Sequence, residues 1–161
     1  MLPKGFEEAI LEFAAKVGEG VSWAVDGSAA LCLQGTDVVP ADVDILTDRR
    51  GAYVIAERLK DHMVRPVTFS KTERYESHFG VLTLQNVRFE LMGDLRVFRN
   101  GAWTKTMNPA SAKLSTVKVR ETTVPVLSMD YLRETGYLEE RLRRTEVHRG
   151  RTDGPRSADT P

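Results

Sequence analysis

The sequence predicts an α/β (α+β) fold, in which helices cover one face of a mixed β-sheet and a short helical region ends the chain. Two observations predict it. The first 60 residues alternate between helical and strand patterns, whereas residues 64–127 form a run of strands separated by turn residues. A chain of 161 residues, 41% of them hydrophobic, is long enough to bury one sizeable core. We therefore expect a single domain over residues 1–148.

The chain begins with a helix, a strand and a second helix. Residues 5–17 place apolar side chains on one side and charged ones on the other, which predicts an amphipathic helix. Residues 21–26 predict a short strand. Ser28 can cap a second helix that ends at Leu33, because a glycine follows at the C-terminal cap position.

A second strand and a third helix come next. Residues 42–47 predict the strand, after a loop that contains Pro40. Asp48 is a suitable cap for a helix over residues 51–60, whose apolar residues recur with helical spacing. This order of strands and helices is typical of an α/β sheet.

The middle of the chain predicts antiparallel strands. Residues 64–69 favour an edge strand, because Pro66 cannot donate a ladder hydrogen bond. Residues 78–84 and 87–92 predict a hairpin around Gln85-Asn86. Apolar and polar residues alternate in the second of these strands, so we expect one of its faces to be buried.

The last part of the domain predicts two more hairpins and a helical region. Asn100-Gly101 is a favoured pair for a tight turn. Residues 116–120 and 123–127 predict the last hairpin. Ser128 can cap a helical region that continues to about residue 147 and is interrupted by a glycine.

Composition narrows the class of protein. Lys plus Arg and Asp plus Glu each number 23, so net charge does not indicate nucleic acid, although it leaves nucleic acid open as a partner. The single cysteine, Cys32, excludes a disulfide within the chain and favours a reducing compartment. No stretch resembles a signal peptide or a membrane span, so we expect a cytoplasmic protein with no membrane partner. Residues 149–161 lack large apolar side chains and predict a disordered tail.

Three carboxylates are candidate metal ligands and catalytic residues. Asp42 and Asp44 are two residues apart in one predicted strand and therefore share a face of the sheet, and Glu90 lies in a later strand. Carboxylate oxygens hold Mg²⁺ or Mn²⁺, and two such ions can stabilise both the attacking and the leaving oxygen of a phosphoryl transfer. We assign Asp42 and Asp44 to the metal, and Glu90 to a second metal or to the acceptor as general base.

Gly27 and Ser28 are candidate ligands of a nucleoside triphosphate. A glycine lets the backbone approach a phosphate closely, because it has no Cβ. Ser28 begins a predicted helix, whose free N–H groups favour an anion, and its hydroxyl can add a donor.

These motifs together resemble the nucleotidyltransferase superfamily, whose fold is shared with DNA polymerase beta. The pattern is Gly27-Ser28, thirteen residues, and then Asp42-Val43-Asp44-Ile45, with Glu90 in a later strand. Stretches such as residues 77–80 and 124–128 look like a subgroup of small, stand-alone prokaryotic proteins of this fold. The resemblance covers nearly the whole predicted domain and implies a nucleotidyltransferase-like mixed sheet.

The resemblance implies a Mg²⁺-dependent transferase that moves a nucleoside monophosphate from an NTP, such as ATP, to an acceptor hydroxyl. The acceptor could be a small molecule, a protein or an RNA. In this family Gly27 and Ser28 would bind the triphosphate, while Asp42, Asp44 and Glu90 would hold the metals. Small relatives often build the acceptor site between two subunits, so a homodimer is an option.

Two alternatives stay open. Asp26 stands where the family usually has an apolar or small residue, which motivates a non-catalytic nucleotide-binding or partner-binding module of the same fold. A toxin–antitoxin-type nucleotidyltransferase acting on tRNA is the other, although no lysine follows Lys118 where toxin-type relatives carry one on a helix.

Other polar residues have structural and functional interpretations. Glu90 could pair with Arg88 or Arg96, and His78 could contact a phosphate, although a structural role is favoured. The basic C-terminus is expected to be a solvated helix face, with RNA contact as the minority alternative. Three further cations could steer a triphosphate: Arg65, Lys71 and Arg74.

Overall fold

The structure, a computed structural model, describes residues 1–152, with side chains described as far as residue 144. The helices are α1 (Phe6–Val17), α2 (Gly27–Leu33), α3 (Arg49–Arg58), α4 (Met129–Glu134) and α5 (Tyr137–Thr152), and a 3₁₀ turn covers Lys60–His62. The strands are β1 (Trp23–Asp26), β2 (Val43–Thr47), β3 (Met63–Lys71), β4 (Tyr75–Leu84), β5 (Val87–Arg99), β6 (Ala102–Trp103), β7 (Leu114–Val119) and β8 (Thr122–Leu127). Helix α5 takes in residues 149–152, and the rest of the predicted tail lies outside the described residues.

The strands form a mixed sheet in the order β3-β4-β5-β2-β1-β8-β7, and β6 pairs with the end of β5. Strand β2 is antiparallel to β1 and parallel to β5, while β1 is parallel to β8. The predicted fold class and mixed sheet are therefore confirmed. Strand β3 lies at an edge, as Pro66 predicted. Within the described residues, no helix combines the length and apolar character that crossing a membrane would require.

The main core lies between one face of the sheet and the helices α1 and α3. Phe89 of β5 is fully buried and stacks on Phe13 of α1, with ring centroids 5.1 Å apart. Phe13 also meets the edge of Trp23 of β1 at 5.0 Å. Apolar residues alternate along this part of β5, so its polar residues are left on the opposite face.

Local turn and cap chemistry positions the elements largely as predicted. Asp48 caps α3 by accepting from the Gly51 N–H at 2.6 Å, and Ser128 caps α4 by accepting from the Tyr131 N–H at 3.2 Å. The Asn100-Gly101 turn has positive φ at both residues, 51° and 79°, as a tight hairpin turn requires. Helix α3 begins at Arg49, two residues earlier than the sequence predicted.

Strand β5 is longer than predicted and contains a bulge. It was expected to end at residue 92, but it continues to Arg99. Between the pairs His78–Gly93 and Glu76–Arg96, β5 has one more residue than β4, and Asp94 adopts a positive φ of 53°. The extra residue changes which face the following side chains occupy.

Candidate active site

Acidic side chains form a row across three neighbouring strands. Asp26 at the end of β1 pairs with Asp44 of β2, and Asp44 pairs with Glu90 of β5. Residues paired across adjacent strands project from the same face of a sheet. Asp42 directly precedes β2 and lies on this face too. One carboxylate oxygen from each of Asp42, Asp44 and Glu90 lies within 4.8 Å of the others, so the structure brings the three predicted residues together.

The charges of this cluster fit a hard divalent cation. Burial, followed by the charges of Asp26, Asp42 and Glu90, raises the pKa of Asp44 well above its usual 3.8. Burial and the charge of Glu90 likewise raise the pKa of Asp42. Carboxylates this close repel one another unless a proton or a cation lies among them. Because Mg²⁺ and Mn²⁺ prefer oxygen ligands, this donor set is suited to either ion.

Arg88 holds one oxygen of Glu90. Its Nη2 and Nε donate to Oε1 of Glu90 at 3.0 and 3.2 Å. Of the two partners the sequence offered, Arg88 is therefore the one found, while Arg96 bonds Glu76 at 2.7 Å. The pairing does not remove Glu90 from the cluster with Asp44.

Asp26, not Ser28, caps helix α2, which corrects the predicted cap. The backbone N–H of Gly27 donates to Oδ1 of Asp26 at 2.6 Å. The cap lies two residues earlier than predicted because Asp26 ends β1 in extended conformation and the helix begins at Gly27. Burial raises the pKa of Asp26 to about 6, although the Gly27 N–H and Arg99 oppose the shift.

Gly27 packs directly against the carboxylate of Asp44. Its φ is +64°, and a Cβ at this position would overlap Oδ2 of Asp44. The site therefore requires glycine for both the backbone conformation and the close contact. Ser28 is 4% exposed, which leaves its hydroxyl little access to a ligand. The assignment of Gly27 and Ser28 to a triphosphate stays a prediction.

A cavity of about 870 Å³ opens beside the acidic row. Asp26, Gly27, Asp44 and Glu90 line one end of it. Strands β3, β4, β5 and β6 line one side of the cavity, and helices α4 and α5 line a second side. Its size is within the usual range for small-molecule sites.

A sequence model of one protein family, described as aminoglycoside-2''-adenylyltransferase, matches residues 10–159. The chain belongs to this family. A solved structure from Thermotoga maritima, of a protein assigned as a nucleotidyltransferase, has 30% sequence identity and a TM-score of 0.78, covering 95% of this chain and 96% of that one. A search of curated proteins finds no match. The chain is thus a nucleotidyltransferase, and the predicted superfamily is confirmed.

Several residues that line the cavity of this nucleotidyltransferase were not predicted. Arg99 reaches it because the bulge at Asp94 turns Leu95, Val97 and Arg99 to the cavity side. The sequence carries no signal for this, since the apolar residues stay in the same phase on both sides of Asp94, with Phe89 and Leu91 before it and Leu95 and Val97 after it.

Helix α5 also contributes cavity residues that were not predicted. Tyr137, Arg141 and Arg144 line the cavity, whereas the sequence favoured a solvated helix face for these arginines. Burial and the charge of Asp44 raise the pKa of Tyr137 to about 12, so its hydroxyl stays protonated. Arg141 and Arg144 are three residues apart, and this spacing could have predicted that they share one face of the helix.

The other candidate residues lie elsewhere. His78 is not among the residues that line the cavity, and its Nδ1 lies 3.0 Å from the hydroxyl of Tyr53 in α3. Lys71 pairs with Glu76 at 3.7 Å. Of the three cations suggested to steer a triphosphate, Arg65 is a lining residue of the cavity.

Proposed function

We propose that this enzyme is Mg²⁺-dependent and transfers a nucleoside monophosphate from an NTP to a hydroxyl of an acceptor molecule. The convergence of the Asp42, Asp44 and Glu90 carboxylates carries the proposal, because Asp44 and Glu90 also line one end of the cavity. The family's name describes transfer of an adenylyl group, which supports ATP as the nucleotide.

Asp42 and Asp44 would hold the metal, and Glu90 would complete the set. When bound, Mg²⁺ supplies positive charge to the phosphoryl oxygens and to the leaving pyrophosphate. The like charges that raise the pKa of Asp44 also disfavour its ionised form without a cation. Metal binding and proton release from this cluster are therefore linked.

The triphosphate would lie beside the start of α2. Gly27 allows close approach of the backbone, and the first N–H groups of a helix have no partner within the helix. Ser28 would contribute through its backbone, because its side chain is buried. Arg99, Arg141 and Arg144 add positive charge to the same cavity.

Glu90 would act on the acceptor. An acceptor hydroxyl oxygen attacks the α-phosphorus, its proton passes to the Glu90 carboxylate, and the bond from the α-phosphorus to the pyrophosphate oxygen breaks. Arg88 holds Oε1 of Glu90 and fixes the orientation of the carboxylate. Glu90 then releases the proton to water.

The proposal is tested by incubating the protein with Mg²⁺, each α-labelled NTP and a panel of hydroxyl compounds, and measuring labelled adduct and pyrophosphate. We expect transfer by the wild type, and a loss of at least about a hundredfold in Asp44→Asn, because charge at the reacting phosphate is no longer balanced. Asp61→Asn, which removes an exposed carboxylate outside the cavity, is the matched control.

Two outcomes would contradict the proposal. Failure of the wild type to bind any NTP with Mg²⁺ would exclude nucleotidyl transfer. Tight nucleotide binding without pyrophosphate release for any acceptor would favour the non-catalytic nucleotide-binding module instead.

A further inference from the structure

The hydroxyl of Tyr137 lies where Gly27 meets the metal cluster. Its oxygen is 3.3 Å from the position that a Cβ on Gly27 would occupy, and the same Cβ would overlap Oδ2 of Asp44. The side chain of Tyr137 is half-buried and lines the cavity. Tyr137 therefore approaches the cluster from the side of Gly27, which is the side where the proposed function places the triphosphate.

This hydroxyl is a hydrogen-bond donor without an acceptor. Within the part of the chain whose side chains are described, it makes no hydrogen bond, and Asp44 acts on it through charge alone. Because burial and the charge of Asp44 raise the pKa of Tyr137 to about 12, the oxygen carries its proton at any working pH. A half-buried phenol in this state is available to a ligand that brings an acceptor.

The start of helix α5 fixes the position of Tyr137. Gly136 precedes it with a φ of +76°, and the Gly136 N–H donates to the carbonyl of Arg133 at 3.0 Å, so the chain turns from α4 into α5. Leu138, which follows it, is 7% exposed and packs in the hydrophobic core. Because the backbone is held on both sides, the phenol can bind a ligand with little loss of conformational entropy.

Strand order places this hydroxyl on the leaving-group side of the reaction. Glu90, the proposed base, lies in β5 on one side of Asp44, and Gly27 follows β1 on the other side. In a phosphoryl transfer the attacking and the leaving oxygen are roughly in line across the phosphorus. An acceptor that attacks from the side of Glu90 therefore expels pyrophosphate toward Gly27 and Tyr137.

We infer that Tyr137 is a catalytic residue whose hydroxyl donates a hydrogen bond to the pyrophosphate part of the nucleotide. Negative charge builds on this part as the bond between the α-phosphorus and the bridging oxygen breaks, so the hydrogen bond is strongest in the transition state. The phenol keeps its proton, and the departing pyrophosphate takes the electron pair of the broken bond. The inference rests on the proposed function for the position of the nucleotide, but the binding it describes can be measured without an acceptor.

The inference is tested by calorimetric titration of the wild type and of Tyr137→Phe, in the presence of Mg²⁺, with two probes. Pyrophosphate is the isolated leaving group, and α,β-methylene-ATP is a nucleotide that cannot be cleaved at the reacting bond. We expect Tyr137→Phe to bind both probes about tenfold to a hundredfold more weakly, which is the usual range for one hydrogen bond to a charged group.

Tyr53→Phe is the matched control, because Tyr53 lies in α3 outside the cavity and its variant also loses a phenol hydroxyl. It should bind both probes as tightly as the wild type. A titration with Mn²⁺ alone tests whether Tyr137 instead acts by positioning Asp44. We expect the wild type and Tyr137→Phe to bind Mn²⁺ equally.

Two results would overturn the inference and leave the proposed function intact. One is equal affinity of the wild type and Tyr137→Phe for both probes. The other is a loss of Mn²⁺ affinity in Tyr137→Phe as large as its loss of pyrophosphate affinity, since Tyr137 would then act through the metal ligands. If the wild type binds neither probe, the proposed function fails together with the inference.

Discussion

Replacing Gly27 by alanine tests the contact between helix α2 and the metal cluster. Gly27 has a φ of +64°, and a Cβ there would overlap Oδ2 of Asp44. The left-handed conformation costs an alanine about 1–2 kcal/mol. Forcing a methyl group into an occupied space costs about a further 1–3 kcal/mol, or else displaces the Asp44 carboxylate. We therefore expect Gly27→Ala to lose about 2–5 kcal/mol of unfolding free energy, with weakened Mg²⁺-dependent binding of ATP.

Gly20→Ala isolates the contact from the backbone effect. Gly20 has a φ of +79°, and a Cβ there would meet nothing within 4 Å. Its variant should lose only the conformational part, about 1–2 kcal/mol, and should bind ATP and Mg²⁺ normally. Urea unfolding gives the free energies and calorimetry gives the affinity. If Gly27→Ala is no less stable than Gly20→Ala and binds ATP equally well, the close packing of Gly27 on Asp44 is refuted.

Three further results are expected. Mg²⁺ should raise the melting temperature more at pH 8 than at pH 5.5, because protons compete for Asp44, whose pKa is raised by burial and neighbouring charge. Asp26→Asn should stabilise the metal-free protein by about 1–3 kcal/mol at pH 8, since an amide keeps the cap and removes a buried charge. That gain should shrink as the pH falls below about 6, where the wild-type carboxyl becomes protonated in the folded state, and should disappear only below about pH 4, where the unfolded chain, with the usual Asp pKa of 3.8, is protonated too. Phe89→Ala should lose about 3–5 kcal/mol of unfolding free energy through the cavity it leaves beside Phe13.

Each of these has a clear contrary result. A Mg²⁺ shift that is independent of pH would mean that the ion binds the protein without displacing protons. Asp26→Asn would contradict the electrostatic account if it were destabilised at pH 8 as measured by urea unfolding. A loss below about 1 kcal/mol in Phe89→Ala would place that ring outside a packed core.

The parts of the fold that depend on short-range chemistry could be predicted from the sequence. Asp42 and Asp44 share a face because side chains alternate along a strand, and the Gln85-Asn86 turn specifies its own hairpin. The position of Glu90 beside Asp44 could be expected only from the resemblance. Pairing of β2 with β5 joins residues more than 40 positions apart, and no local pattern specifies such a partner.

The rest of the site depends on features that sequence patterns describe poorly. The bulge at Asp94 brings Arg99 into the cavity, but the apolar residues keep one phase along the whole of β5, so the alternation does not reveal the change of face. Asp26, rather than Ser28, caps helix α2 because β1 ends at Asp26 and the helix begins at the next residue. Arg144 lines the cavity only because α5 returns to the sheet, which the charge pattern of a helix cannot show.

The most direct test of the central claim is a crystal structure of the protein with Mn²⁺ and a non-hydrolysable ATP analogue, in which anomalous scattering locates the metal. We expect a metal peak within about 2.0–2.3 Å of carboxylate oxygens of Asp42 and Asp44, with the α-phosphate between this ion and Glu90. A metal bound only by the nucleotide, or a nucleotide bound away from this cluster, would contradict the account.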